Sequence, residues 1–119
     1  MTENNQLKYF IYTRKSSDEG NKQVQSLETQ ERLCFELAKN NNLVVVDILK
    51  EAKSAMDDGN RPTFDLLISK IKSGEANALI VVDIDRLARN LVEAGFLYKL
   101  METGFIKEIR TLSKDFNAV

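Results

Sequence analysis

The chain reads as an α/β domain built on a mostly parallel central β-sheet with flanking helices, in the order βαβαβαβ. Two observations predict this. Short runs rich in apolar, β-branched and aromatic residues recur at 7–14, 43–49, 78–84 and 105–112. Between them lie stretches whose apolar residues return at helical spacing, bounded by capping or stopping residues. A helix between two buried strands carries the chain back to the end of the sheet where it started, so sequential strands run parallel.

The first run, Leu7-Lys8-Tyr9-Phe10-Ile11-Tyr12-Thr13-Arg14, has the composition of a strand. Ser16 to Gln25 is polar, contains Gly20 and reads as a loop. Ser26 is placed to N-cap a helix reaching about Asn41, with Leu27, Gln30, Cys34, Leu37 and Ala38 on one face. Asn40-Asn41-Asn42 ends it, and Leu43 to Leu49, interrupted only by Asp47, reads as a buried strand. Glu51 to Arg61 reads as a loop with Asp57-Asp58-Gly59-Asn60 as turn chemistry.

Pro62 suits the first position of a helix, where its missing N–H costs nothing. Phe64, Leu67, Ile68 and Ile71 follow at i, i+3, i+4 and i+7, and Gly74 is the expected stop. Ala78 to Ile84 is a third strand, Asn90 to Thr103 a third helix with Asn90 and Glu93 as a capping pair, and Gly104 a stop. Phe105 to Leu112 completes the set as a fourth strand. No linker or repeat divides the 119 residues, so they read as one domain, large enough for a core.

Composition excludes more than it identifies. Hydrophobic residues make up 43% and charged residues 29%, ordinary for a soluble globular protein. No apolar run is long enough to span a bilayer, and the polar start, Met1 to Gln6, lacks a secretory pattern. The single cysteine, Cys34, cannot form an internal disulfide and suits a reducing, cytoplasmic setting. There is no histidine, so neither a Ser-His-Asp triad nor a histidine-liganded metal can be built from this chain. The net charge of −1 predicts weak sequence-independent attraction to nucleic acid for the chain alone.

Polar clusters follow each of the first three strands: Arg14 to Ser16, Glu51 to Ser54 and Asp85 to Arg89. In open parallel sheets, sites form beyond the carboxyl ends of the strands. The clusters therefore converge on one edge, rich in arginine forks that match phosphate oxygens. Taken singly, the residues have plain explanations. A serine after a strand is usually a turn residue, and surface arginines usually pair with carboxylates. Tyr12, inside an apolar run, reads as packing, and Cys34 as core. Asp83 and Asp85 alternate with period two, so both fall on the same side of an extended segment and the pattern does not separate them.

Together the clusters resemble the N-terminal catalytic domain of the serine recombinases, the resolvase/invertase and large serine integrase superfamily. The first motif is Tyr12, Arg14 and Ser16, then Gln25-Ser26-Leu27 and Gln30. The second is Arg61-Pro62 with Phe64, and the third is Asp85-Arg86-Leu87 with Arg89-Asn90. Glu51 and Ser54 match an acidic-x-x-Ser pattern, although Ala55 stands where the family commonly has Gly.

The resemblance implies that Ser16 attacks a DNA phosphodiester, with Ser17 a bystander. It implies that Arg14, Arg61, Arg86 and Arg89 stabilise the phosphoryl charge and that Asp85 orients an arginine or moves a proton. Gln25 and Ser54 would contact the substrate. No metal and no cofactor are implied. DNA would be the partner, with a homodimer or tetramer in the full-length protein. The family's long helix and C-terminal DNA-binding region would lie outside residues 1–119. The isolated chain is then expected to be monomeric or weakly dimeric, with no membrane partner. A non-catalytic, doubly wound regulatory domain fits composition and strand order equally well. A nucleotide-binding domain does not, because no Gly-rich phosphate loop is present.

Overall fold

In a computed structural model, residues 7–14, 26–51, 62–88, 90–113 and 115–117 are described. Strand β1 spans Lys8–Arg14, helix α1 Leu27–Asn40, strand β2 Val44–Glu51 and helix α2 Pro62–Lys72. Strand β3 spans Ala78–Ile80, helix α3 Leu91–Glu102, strand β4 Glu108–Arg110 and strand β5 Asp115–Asn117. A single 3-10 turn, Ile84–Arg86, stands between β3 and α3. The sheet order is β2-β1-β3-β4-β5. The first four strands are parallel, and β5 returns antiparallel beside β4. The expected mostly parallel α/β sheet is present, with one additional strand at its end. Among the described residues no helix is long and apolar enough to cross a membrane.

The strand order explains the layering. From β1 the chain moves to β2 on one side, then crosses back over β1 to β3 on the other. Crossovers of one hand put helices on opposite faces when the direction of travel reverses. One face accordingly joins Tyr9, Ile11, Ala78, Ile80 and Val82 to Cys34 and Ala38 of α1. The other joins Phe10, Tyr12, Leu79 and Ile109 to Phe64, Leu67 and Ile71 of α2 and to Leu97 and Leu100 of α3. Alternation along β1 feeds both cores, so every β1 residue from Tyr9 to Arg14 is buried.

Local chemistry sets the helix ends. The Ser26 hydroxyl accepts from Thr29 N at 3.1 Å, and Asn90 Oδ1 accepts from Glu93 N at 2.9 Å. Gly74 and Gly104 both have φ of 89°, the left-handed conformation that ends α2 and α3 without a Cβ penalty.

Three expectations need correction. Strand β2 is not buried on both faces: it is the sheet edge, and Val44 and Val46 are exposed. A register shift opposite Tyr9/Phe10 interrupts its pairing with β1, one of the devices that protect an edge. The third strand ends at Ile80 rather than Ile84. The chain then turns, so Asp83 and Asp85 do not share one side of an extended segment: Asp83 caps the 3-10 turn by accepting from Arg86 N at 3.2 Å. The fourth strand begins at Glu108 because Phe105 belongs to the turn after Gly104.

Candidate active site

The order in which successive strands are laid down reverses between β1 and β3, which are themselves parallel. Beyond the carboxyl ends of these two strands the helices diverge to opposite faces and leave a crevice. Arg14 is the last residue of β1, and Asp85 and Arg86 lie in the turn that follows β3. The two sequence clusters thus meet at the place where a parallel sheet opens.

Arg14 makes the junction physical. Its side chain is buried, 6% exposed. Its Nε donates to the Arg86 carbonyl at 3.1 Å and its Nη2 to the Asp85 carbonyl at 2.8 Å. A planar fork meets two successive carbonyls, which a lysine cannot do. The guanidinium charge also sits where the 3-10 turn presents unsatisfied carbonyls, a favourable place for a cation. Arg86 is itself 9% exposed and Asp85 is exposed. The turn is therefore held from below by Arg14, with Asp85 at its surface.

The backbone of Arg14 is held as firmly as its side chain. Gln30 of α1 is fully buried. Its Oε1 accepts from Arg14 N at 3.2 Å, and its Nε2 donates to the Arg14 carbonyl at 2.9 Å. One amide thus satisfies both backbone groups at the end of β1. It ties the point where the chain leaves the sheet to the helix that follows segment 15–25.

A second clamp stands at the end of β2. Glu51, the last residue of β2, is 1% exposed. Its Oε1 accepts from Tyr12 Oη at 2.9 Å and from Phe64 N at 2.7 Å, and its Oε2 accepts from Thr63 N at 3.1 Å. The first N–H groups of a helix have no partner within it and carry partial positive charge, so a buried carboxylate belongs there. Thr63 Oγ1 also donates to the Lys50 carbonyl at 3.2 Å. Arg14 and Glu51 are register partners across β1 and β2, so the two clamps stand side by side at one edge.

Of the expected site residues, Arg14, Asp85 and Arg86 are brought together at this edge. Ser16, Gln25, Ser54, Arg61 and Arg89, together with Ser17, lie outside the described residues. Sequence reasoning did not find the clamping roles of Glu51 and Gln30. A glutamate ending an apolar run and a glutamine on an apolar helical face were the available signals. Tyr12 is packed against Phe64, ring edge to face at 6.1 Å, as well as bonded to Glu51. Cys34 is fully buried in the α1 core, and burial pushes its thiol up to about 12.

A sequence-family description, "Resolvase, N terminal domain", matches residues 9–112. No curated protein matches the chain. Several solved structures share the fold. A resolvase family site-specific recombinase from Streptococcus pneumoniae aligns with a TM-score of 0.73 at 24% identity, covering 95% of this chain and 76% of that one. The C-terminal catalytic domain of ISC1926 TnpA, an IS607-like serine recombinase, gives 0.70 at 24% identity, covering 89% and 70%. The N-terminal catalytic domain of TP901-1 integrase gives 0.69 at 24% identity, covering 91% and 80%.

Proposed function

Because the chain belongs to the family of resolvase N-terminal domains, we propose that it is the catalytic domain of a site-specific serine recombinase that cuts and rejoins DNA with Ser16 as nucleophile. The Ser16 hydroxyl oxygen attacks the phosphorus of a phosphodiester. The bond from phosphorus to the 3′ oxygen breaks, leaving a 5′-phosphoserine and a free 3′-hydroxyl, and the serine proton passes out as the leaving oxygen gains one. Attack by a 3′-hydroxyl on the phosphoserine reverses these steps on the same or a new partner strand. The phosphodiester energy is kept in the covalent link, so no nucleotide is consumed.

The transition state gathers negative charge on the phosphoryl oxygens, and preorganised cationic donors lower its energy. Arg86, Arg61 and Arg89 fill that role in this reading. Arg14 holds the turn bearing Asp85 and Arg86, besides adding its own charge. Asp85, exposed at the surface of that turn, orients a guanidinium or carries a proton. The observation that carries the reading is the Arg14 fork on the Asp85 and Arg86 carbonyls, which joins the first and third motifs at the switch point of the sheet.

The test is capture of a covalent protein–DNA adduct on a nicked substrate, with the protein that carries this domain. Ser16→Ala abolishes the adduct while DNA binding is retained, and Ser17→Ala leaves it. An adduct from Ser16→Ala and none from Ser17→Ala would transfer the nucleophile to Ser17. No serine-dependent adduct from the unsubstituted protein would refute the catalytic reading in favour of a regulatory domain.

A further inference from the structure

Polar groups at the end of β1 are closely matched. Gln30 bonds both backbone groups of Arg14, and the Asp85 and Arg86 carbonyls accept from the Arg14 side chain. Glu51 accepts from the Tyr12 hydroxyl. Thr13 stands among these residues and breaks the pattern. It is 0% exposed, and its Oγ1 has no hydrogen-bond partner among the described residues.

Burying a hydroxyl without a partner destabilises a fold. Valine has the same branched shape, suits a strand as well and carries no polar atom. The fold by itself therefore favours valine at this position. A hydroxyl retained there against stability is one used in another state of the molecule.

The position of Thr13 says what that use is. Alternation along β1 sets it on the α1 face with Tyr9 and Ile11, opposite Arg14. Pairing of β1 with β3 ends at Ile11, and Arg14 is the last residue of β1. Thr13 is thus the last strand residue on the α1 face, three before Ser16. A threonine hydroxyl readily bonds the main chain two residues on. For Thr13 that group is the N–H of Lys15, the first residue beyond the Arg14 clamp. A fully buried hydroxyl does not itself touch DNA.

We infer that Thr13 is a positioning residue for the nucleophile: its hydroxyl accepts the Lys15 N–H when the domain engages DNA, and so fixes the direction in which the chain carries Ser16 out of β1. This rests on the reading of Ser16 as the nucleophile. Gln30 holds the chain at Arg14 in the resting fold, and Thr13 supplies the next fixed point toward Ser16. A bond made only in the reacting state raises the rate without stabilising the resting fold.

Two substitutions separate the roles. Thr13→Val keeps the shape and removes the hydroxyl, whereas Thr13→Ser keeps the hydroxyl and removes the methyl. In thermal unfolding of the chain, Thr13→Val is expected to raise the melting temperature by about 3–8 °C and Thr13→Ser to lower it. Single-turnover adduct formation on a nicked substrate, at saturating DNA and with the protein that carries this domain, reverses the order. Thr13→Val slows about tenfold, the worth of one hydrogen bond, and Thr13→Ser stays within about twofold of the unsubstituted protein. DNA affinity in a mobility-shift titration is unchanged in both. A residue that only supports the fold would move stability and rate in the same direction. Thr13→Val reacting at the unsubstituted rate, Thr13→Val slowed with a lowered melting temperature, or Thr13→Ser as slow as Thr13→Val would each overturn the inference. No adduct from the unsubstituted protein would instead refute Ser16 as the nucleophile, and this inference with it.

Discussion

Removing the carboxylate of Glu51 tests the clamp at the end of β2. In Glu51→Ala, the hydroxyl of Tyr12 and the N–H groups of Thr63 and Phe64 lose their acceptor together. A buried donor left unsatisfied costs about 1–3 kcal/mol. The Phe64 N–H and the Tyr12 hydroxyl are buried and lose the most, while the Thr63 N–H is only partly buried and loses less. The sum is about 3–5 kcal/mol, a large share of the roughly 5–15 kcal/mol that holds a domain of this size together. The melting temperature should fall by about 10–25 °C.

Glu51→Gln is the sharper variant because it preserves shape. Its amide oxygen can take over the Oε1 contacts, but its NH₂ faces the Thr63 N–H and the negative charge at the start of α2 is gone. The expected loss is about 1–3 kcal/mol. Tyr12→Phe removes one donor only and costs about 1 kcal/mol. The same change in the Glu51→Ala background should cost less, because the bond from Tyr12 to Glu51 is already gone there. Urea unfolding of the unsubstituted chain and the four variants, followed by far-UV circular dichroism, gives all the terms. If Glu51→Gln unfolds within about 0.3 kcal/mol of the unsubstituted chain, the carboxylate is not clamping α2 and the reasoning is wrong.

Other perturbations have equally definite outcomes. Gln30→Leu strips both backbone bonds from Arg14 at a fully buried position, so it should cost about 2–4 kcal/mol in urea unfolding. It should also slow adduct formation, and an unchanged unfolding midpoint would contradict the clamp. Arg86→Lys keeps the charge but loses the fork, and should lower the cleavage rate of the folded protein about 10²–10³-fold. Near-normal cleavage in a single-turnover assay would remove Arg86 from the site. Tyr9 provides the pH prediction. Burial, followed by its hydrogen bond to Glu108, pushes its hydroxyl from 10.0 up to about 12. The stability it contributes is whole below pH 10 and is lost as pH rises toward 12, on the order of 2 kcal/mol. Tyr9→Phe should lose less stability between pH 8 and pH 11 than the unsubstituted chain, and equal losses would refute the assignment.

The helix ends and the apolar segments were legible in the sequence because they depend on near neighbours. Ser26 and Asn90 cap, and Gly74 and Gly104 stop, through bonds and dihedrals within a few residues. The stripe Phe64, Leu67, Ile68 and Ile71 needed only a helical period to predict one buried face. The parallel sheet followed from the alternation of such stripes with short apolar runs. The gathering of Arg14, Asp85 and Arg86 followed from their place after strand ends.

What a residue meets across the sheet was decided only by tertiary structure. Leu43 to Leu49 has the composition of a central strand, yet β2 lies at the edge, because strand order is a choice among neighbours far apart in the chain. Asp83 and Asp85 were indistinguishable by alternation until the strand ended at Ile80 and a capped turn replaced it. Glu51 and Gln30 have the same local appearance as any glutamate at a strand end or glutamine on a helix. Their partners Phe64 and Arg14 are 13 and 16 residues away, and only the folded arrangement removes the water that would otherwise satisfy them. Local order is encoded in spacing and capping chemistry. The energy of a buried polar contact exists only once distant segments have excluded the solvent between them.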